Sequence, residues 1–469
     1  MMLKKSAAIL AAAGLSHAAV ETNRPNVVLI NVDDLGWSDL SCQGSDFYKT
    51  PNIDKLAEEG MVFSNAYAAA ANCAPSRACL LTGQNTPRHG VYTVGNSDRG
   101  NTVDRRLIPI KNRPFIEVSN LTFGSFFKKA GYATASMGKW HVSHDPTKHG
   151  FDLNVGGSHQ GGPYKGGYHS PYNYPNCTEK EKGRFLTDHL TDKAVEFIRI
   201  NSRAAKPFFL YFPYYAVHAP LQGKKEKVER FRKAPKGRVH HSAVYAALLE
   251  SVDENVGRLM GALKTAEAEE NTVVIFTSDN GGVWKHSKQW PLRAGKGAYY
   301  EGGIREPFIV KWPRKIKAGR RSDVPISQLD VFPTLLDIAG INAAGKVLDG
   351  VNIMPLLTGE GEIDERALYW HFPIYLEAYA KVDTETRDPK FRTRPGSAIR
   401  YGDWKLHEYF EDGGLELYNL KDDMGEKSNM AEAHPEVAAK LHQMLKNWRK
   451  KMKAPVPSTL NPKYRKRVN

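Results

Sequence analysis

The chain alternates short, almost continuous apolar runs with longer amphipathic ones. Asn26–Val32 is apolar nearly throughout, as expected for a parallel strand covered on both faces. Tyr132–Met137, Pro207–Phe212 and Thr272–Thr277 repeat the pattern. Each run delivers polar residues at or just after its end: Asp33-Asp34, then Gly138-Lys139-Trp140-His141, then Val217-His218-Ala219-Pro220, then Ser278-Asp279-Asn280-Gly281-Gly282. Amphipathic stretches between them predict helices over Asn52–Gly60, Thr122–Ala130, Leu186–Asn201 and Ser242–Ala266. This alternation predicts an α/β fold: a large, mainly parallel sheet sandwiched by helices. In such sheets ligands bind beyond the C-terminal ends of the strands, so the four polar clusters are expected to meet in one crevice.

After about Gly359 the texture changes to short segments separated by turns: Ala367–Phe372, Ser397–Arg400, Trp404–His407 and Glu416–Asn419, then a helix near Pro435–Lys451. That reads as a smaller C-terminal α+β subdomain with an antiparallel sheet. The 469 residues exceed what one core usually organises. The expected organisation is a signal peptide over 1–19, a catalytic domain over 24–360, the C-terminal subdomain over 361–455 and a basic tail over 456–469.

Hydrophobic residues at 41% and charged residues at 25% exclude a disordered, collagen-like or membrane-embedded chain. The net charge of +15 is concentrated in two places. Gln222–Arg238 carries eight basic and two acidic residues, and Lys446–Asn469 nine basic and no acidic ones. Local excess of this kind attracts polyanions, although a solvated face and a loose tail would look the same. Neither segment carries a nucleic-acid-binding signature. Lys4 and Lys5, the apolar run Ala7–Leu15 and the small-residue pattern Ser16-His17-Ala18 read as an export signal, too short to span a bilayer. The protein is thus expected in the periplasm or outside the cell, without a transmembrane segment. Cys42, Cys73, Cys79 and Cys177 are too few for a disulfide scaffold, and their pairing is not legible.

The chemistry begins with Asp33, Asp34, Asp279 and Asn280, hard oxygen donors that suit Ca²⁺ or Mg²⁺ rather than zinc. Either pair alone would be read as a cap or turn former. Between them lies Cys73-Ala-Pro-Ser-Arg77-Ala-Cys79-Leu-Leu-Thr-Gly83. Pro75 and Ser76 suit the first turn of a helix ending at Gly83, which puts Cys73 at its positive end. These residues resemble the type I sulfatase signature, Cys-x-Pro-Ser-Arg followed by Leu-Thr-Gly, and match it completely. The resemblance extends through the four strand-end clusters to Leu292–Pro307 and Ser397–Leu406. It implies the alkaline-phosphatase-like fold.

The resemblance further implies that Cys73 is oxidised to Cα-formylglycine by a formylglycine-generating or anaerobic sulfatase-maturing enzyme. One hydroxyl of the aldehyde hydrate attacks sulfur and expels the alcohol; proton loss from the other lets the carbonyl reform and release sulfate. By the same resemblance Asp33, Asp34, Asp279 and Asn280, with the modified Cys73, would hold Ca²⁺, with Mg²⁺ as the alternative. Arg77 would orient the hydrate, and Lys139 and Lys296 would clamp sulfate oxygens. His141 would take the hydrate proton, His218 would protonate the leaving oxygen, and Asp279 would double as the activating base.

His144, His149, His159 and His169 lie in a Gly-, His- and Tyr-rich stretch from His141 to Tyr174, expected as a loop beside the pocket. The basic segment Lys224–Arg238, with Arg105, Arg106, Lys111 and Arg113, is expected to rim the crevice and steer an anionic chain inward. Export and local basic charge favour a sulfated polysaccharide or oligosaccharide as substrate. Two alternatives remain at this stage: a phosphatase or phosphonate monoester hydrolase of the same superfamily, and a non-catalytic polyanion-binding protein should Cys73 stay a thiol.

Overall fold

The computed structural model describes residues 24–204, 206–379 and 385–465. The expected signal peptide and the last four residues of the basic tail lie outside them.

The central sheet has nine strands: β1 (Asn26–Val32), β2 (Met61–Tyr67), β3 (Ala133–Met137), β4 (Leu153–Val155), β5 (Phe208–Pro213), β6 (Thr272–Ser278), β7 (Arg305–Lys311), β8 (Arg320–Ser322) and β9 (Ile326–Ser327). Their order is β8-β2-β7-β6-β1-β5-β3-β4, with β9 also on β2. β1 lies between β5 and β6, parallel to both, and β3 continues parallel from β5. Only β7 runs antiparallel, against β2 and β6. The four apolar runs therefore sit side by side as β6-β1-β5-β3, and their C-terminal ends form one edge.

Both faces of the sheet are covered. Val28, Ile30 and Val32 of β1 enter a core with Ile53 and Leu56 of α1 (Pro51–Glu58), Leu190 of α4 (Leu186–Arg203) and Leu248 of α6 (Ala243–Thr265). Val27 and Leu29 enter a second core with Ala78 and Leu81 of α2 (Cys73–Thr82), Phe123 and Phe127 of α3 (Phe123–Lys129) and Leu335 of α7 (Val331–Ile338). Consecutive residues of a strand point to opposite faces, so a strand buried on both sides must be apolar at every position.

The C-terminal unit is a four-stranded antiparallel sheet of β10 (Leu368–Phe372), β11 (Gly396–Tyr401), β12 (Trp404–Tyr409) and β13 (Leu415–Asn419). It packs Ile399, Leu406 and Leu417 against Leu441 and Leu445 of α8 (Pro435–Met452).

Two charge expectations need correction. Part of the charge of Lys224–Arg238 is paired inside the fold, while Lys225, Lys233, Lys236 and Arg238 remain exposed. The segment folds largely as α5 (Lys225–Lys233), where Lys224 pairs with Asp188 at 2.7 Å, Lys227 with Glu254 at 2.5 Å and Arg230 with Glu250. Its charge fastens α5 to α4 and α6. Nor is the tail loose up to Arg465: Asn461 donates to the carbonyls of Thr102 and Arg105 at 2.8 and 2.7 Å, and the Arg465 amide donates to Val103.

Candidate active site

The ten residues singled out in the sequence converge at the sheet edge. β1 runs straight into Asp33 and Asp34, the latter in the left-handed region at φ 62°. β6 leads directly into Asp279 and Asn280; the Asp279 carboxylate accepts the Asp34 amide at 3.1 Å, which fastens the two strand ends together. β3 ends in Gly138 at φ 122°, where an added Cβ would stand 1.9 Å from the Pro213 carbonyl of β5. Only glycine allows this approach, and it brings the Lys139 amide within 2.7 Å of that carbonyl. Helix α2 enters the crevice with Cys73 at its N-terminus, and Gly83 closes it at φ 66°. All ten residues of α2 are buried.

Charges alternate across the site. Arg77 Nε donates to Asp279 Oδ2 at 2.8 Å and its Nη1 to the Lys139 carbonyl at 2.8 Å. Lys139 Nζ lies 2.5 Å from Asp33 Oδ2, and Lys296 Nζ 2.6 Å from Asp34 Oδ1. His218 turns Nε2 toward Asp34 at 3.7 Å, while its Nδ1 lies 2.5 Å from the Ala219 carbonyl, which fixes a proton on Nδ1. His141, at φ 69°, is buried beside Lys139, Arg77 and Lys296.

Burial raises the Asp34 carboxyl, but Lys296 and His218 outweigh it and hold it ionised. Burial raises Asp33 as well, and there it wins: Lys139 and Arg77 pull the carboxyl down while Asp279 and Asp34 push it up. Burial and Lys296 lower His218 to about 3 against the pull of Asp34. Burial, then Lys139, keeps His141 neutral. Burial also raises the Cys73 thiol, so this cysteine is a poor nucleophile as it stands.

Whether the residues fit a metal can be asked of the buried atoms. Asp33 Oδ1 and Asn280 Oδ1 have no hydrogen-bond partner, and a buried acceptor is rarely left so. Asn280 donates its amide to Asp34 Oδ1 at 2.8 Å, which turns its own oxygen to the centre. Asp33, Cys73 and Asp279 offer ligand atoms within 4.8 Å of one another, as do Asp33, Asp34 and His218. Three carboxylates and an amide oxygen fit a hard divalent cation. The two groups share Asp33 and are the groups of this kind among the described residues.

Other residues at the site gave little or no sequence signal. Ser76 donates to Gln328 at 2.6 Å, and Gln328 in turn donates to the Ser278 carbonyl at 2.5 Å, tying α2 to β6. Tyr168 donates to the carbonyls of Tyr215 and His218 at 2.7 and 2.8 Å. Tyr164 stands at the mouth, 63% exposed, its ring 6.2 Å from that of His218. Arg392, from the C-terminal unit, donates to the Lys296 carbonyl at 3.1 Å and stacks on Tyr379 at 3.8 Å. Tyr164 and Tyr168 lie in the Gly- and His-rich stretch, which singled out its histidines and not its tyrosines; Gln328 and Arg392 are single polar residues in ordinary surroundings. Of the four loop histidines, His149 is buried against Trp140, His144 and His159 lean on each other and on Phe115, and His169 lies 3.2 Å from the Gly223 carbonyl.

The sulfatase family profile matches residues 25–341, and that of the N-sulphoglucosamine sulphohydrolase C-terminal region matches 295–451. The chain belongs to the sulfatase family. This sulfatase is 32% identical to a sulfatase of Formosa agariphila over 92% of its own length and 90% of that protein. It is 34% identical to N-acetylgalactosamine-6-sulfatase of Canis lupus familiaris, over 77% of its own length and 71% of the other. Among solved structures it resembles Ps i-CgsB, also solved in complex with k-i-k-neocarrahexaose, at a TM-score of 0.75 and 30% identity, covering 93% of this chain and 95% of that one. The sulfatase is a sulfuric ester hydrolase of the alkaline-phosphatase-like fold. No helix among the described residues is long and apolar enough to cross a membrane.

Proposed function

We propose that this sulfatase removes sulfate from a sulfated oligosaccharide or polysaccharide, with Cys73 matured to Cα-formylglycine and Ca²⁺ bound by Asp33, Asp34, Asp279 and Asn280. The observation that carries the reading is a buried ring of carboxylates and cations closed around Cys73. A divalent cation there would offset the charge of the sulfate and favour ionisation of the attacking hydroxyl. The aldehyde hydrate would supply that hydroxyl and a second one whose deprotonation releases sulfate.

The protein's own groups do the rest. Lys139 and Lys296 hold sulfate oxygens, where fixed cations in a dry site count most. Arg77, fastened to Asp279, keeps the nucleophile in line. Asp279 accepts the first proton and His141, neutral through burial, the second. His218 carries a proton on Nδ1 and turns Nε2 toward Asp34; burial and Lys296 oppose a second proton there, and the negative charge of a bound sulfate ester, added to that of Asp34, would favour the second proton that neutralises the leaving oxygen. Tyr164 offers a ring face to the sugar. A carbohydrate substrate is supported by the N-acetylgalactosamine-6-sulfatase relative and by the oligosaccharide bound to Ps i-CgsB. Export and a maturing enzyme as partner belong to the same reading, as do the catalytic domain at 24–360, the C-terminal subdomain at 361–455 and the basic tail at 456–469.

Mass spectrometry of the tryptic peptide spanning residues 56–77 tests the mechanism. We expect a mass lower by the difference between thiol and aldehyde, together with sulfate release from at least one of a panel of sulfated glycans. An unmodified thiol in fully active protein would overturn the mechanism. Release from aryl esters alone would overturn the substrate class.

A further inference from the structure

Beside the loop that joins Asn280 to Lys296, an open groove of about 760 Å³ is lined by none of the ten site residues. Its walls come from the 284–293 loop and the 238–241 segment on one side and from residues 425–427 of the C-terminal unit on the other. Trp290 projects into it at 62% exposure, the only exposed tryptophan of the chain's eight. An exposed indole offers an open ring face on which an apolar surface can stack. Trp284 forms the inner wall, with Lys288 over its ring at 5.6 Å. Arg293 is held across the seam by the Tyr418 hydroxyl at 3.1 Å and the Glu426 carbonyl at 2.9 Å, and stacks on Tyr300. Arg238 and Lys427 add exposed cations at the rim, and Glu385 is the only exposed carboxylate among the lining residues.

We propose that this groove is a second, non-catalytic binding site for a sulfated glycan chain, separate from the reacting centre. Tryptophan faces take the apolar faces of sugar rings, and an arginine with two lysines around them takes sulfate oxygens. One exposed indole, Trp290, set among cations suits a polymer that carries sugar rings and anions together. An enzyme that holds its polymer at a second point raises the local concentration of ester groups at the first. The choice of a sulfated glycan over another polyanion rests on the function proposed above.

Retention in native gels cast with carrageenan or chondroitin sulfate, each beside its chemically desulfated form, tests the groove. Cys73→Ala protein, which would leave the polymer intact, is compared with the same protein also carrying Trp290→Ala and Lys288→Ala. We expect the apparent Kd for the sulfated polymer to rise ~10-fold or more, with an unchanged unfolding midpoint. Lys225→Ala with Lys233→Ala removes two exposed charges from α5 and is expected to leave retention as it was. With Cys73 intact, Trp290→Ala plus Lys288→Ala should hydrolyse a small sulfate ester at the parental rate. Equal loss from both pairs, no loss from the groove pair, or tighter retention by single-stranded DNA than by sulfated glycan would overturn the proposal. Sulfate release from the same polymers by the unaltered enzyme tests the substrate class separately and leaves the groove result standing.

Discussion

Lys139 reaches Asp33 because Gly138 lets the end of β3 lie against β5. Gly138→Ala combines a left-handed φ of 122° with a Cβ 1.9 Å from a backbone oxygen, and we expect it to cost about 3 kcal/mol. An unchanged urea midpoint would refute this. His218 is tested by chemistry. His218→Ala should lower kcat ~10²- to 10⁴-fold on a sugar sulfate, and much less on an ester whose alcohol is acidic enough to leave unprotonated. Equal losses on both esters would rule out proton donation. Residues whose neighbours in sequence share their task were legible. Cys73, Arg77 and Gly83 announce one another, because a helix needs its start, its next turn and its stop at fixed intervals. Arg392 was not legible, because it arrives from a separate unit and only the fold brings it beside Lys296.

At the scale of elements, a buried network of charges seams the two units. Lys405 of β12 lies 2.9 Å from Glu301 and 3.1 Å from Glu426, Tyr67 of β2 donates to Glu301 at 2.7 Å, and Arg400 of β11 bonds the Tyr67 hydroxyl. Burial alone would raise the Glu301 carboxyl, yet Lys405 and Arg305 hold it down to about 2. Lys405→Ala leaves two buried carboxylates short of their cation, and we expect about 3–5 kcal/mol of destabilisation, read as a shifted denaturant midpoint. This seam gives a physical reason why the stretches from Glu301 and to Leu406 belong to the same pattern as the site: they hold the wall that carries Lys296. The sheet itself was legible because strands buried on both faces have no polar alternation to blur them. Short edge strands such as β4 and β8, three residues each, leave no such trace. That Lys224, Lys227 and Arg230 are engaged in ion pairs was not legible, because their acidic partners sit on two other helices.

The whole molecule should respond to acid and to loss of metal. His89 and His371 are buried and neutral, with burial lowering each to about 3. Unfolding exposes them and returns them to the ordinary ~6.5, so the unfolded chain binds more protons between those values. Their contribution is flat above about pH 7, falls by about 1.4 kcal/mol per histidine for each pH unit below about 6.5, and levels off near pH 3. His371→Gln should flatten the stability–pH slope over pH 4–6; an unaltered slope would remove His371 from the account. A chelator should lower both turnover and the unfolding midpoint. Calcium at a hundred times its Kd should restore about 2.7 kcal/mol, and a midpoint indifferent to chelation would argue against the proposed oxygen site.

Helix α2 is enclosed on every side, and that enclosure sets a clock. Once β6 has joined the sheet and α7 has covered α2, no second protein can reach Cys73. The oxidation proposed for Cys73 would then have to take place while the chain is still open. Between the emergence of Cys73 and the completion of α7 at Ile338 about 265 residues are added, which at ordinary synthesis rates lasts ~13–53 s. On that proposal the yield of competent enzyme is a race between oxidation and folding, so slowing elongation should raise it without any change in the sequence.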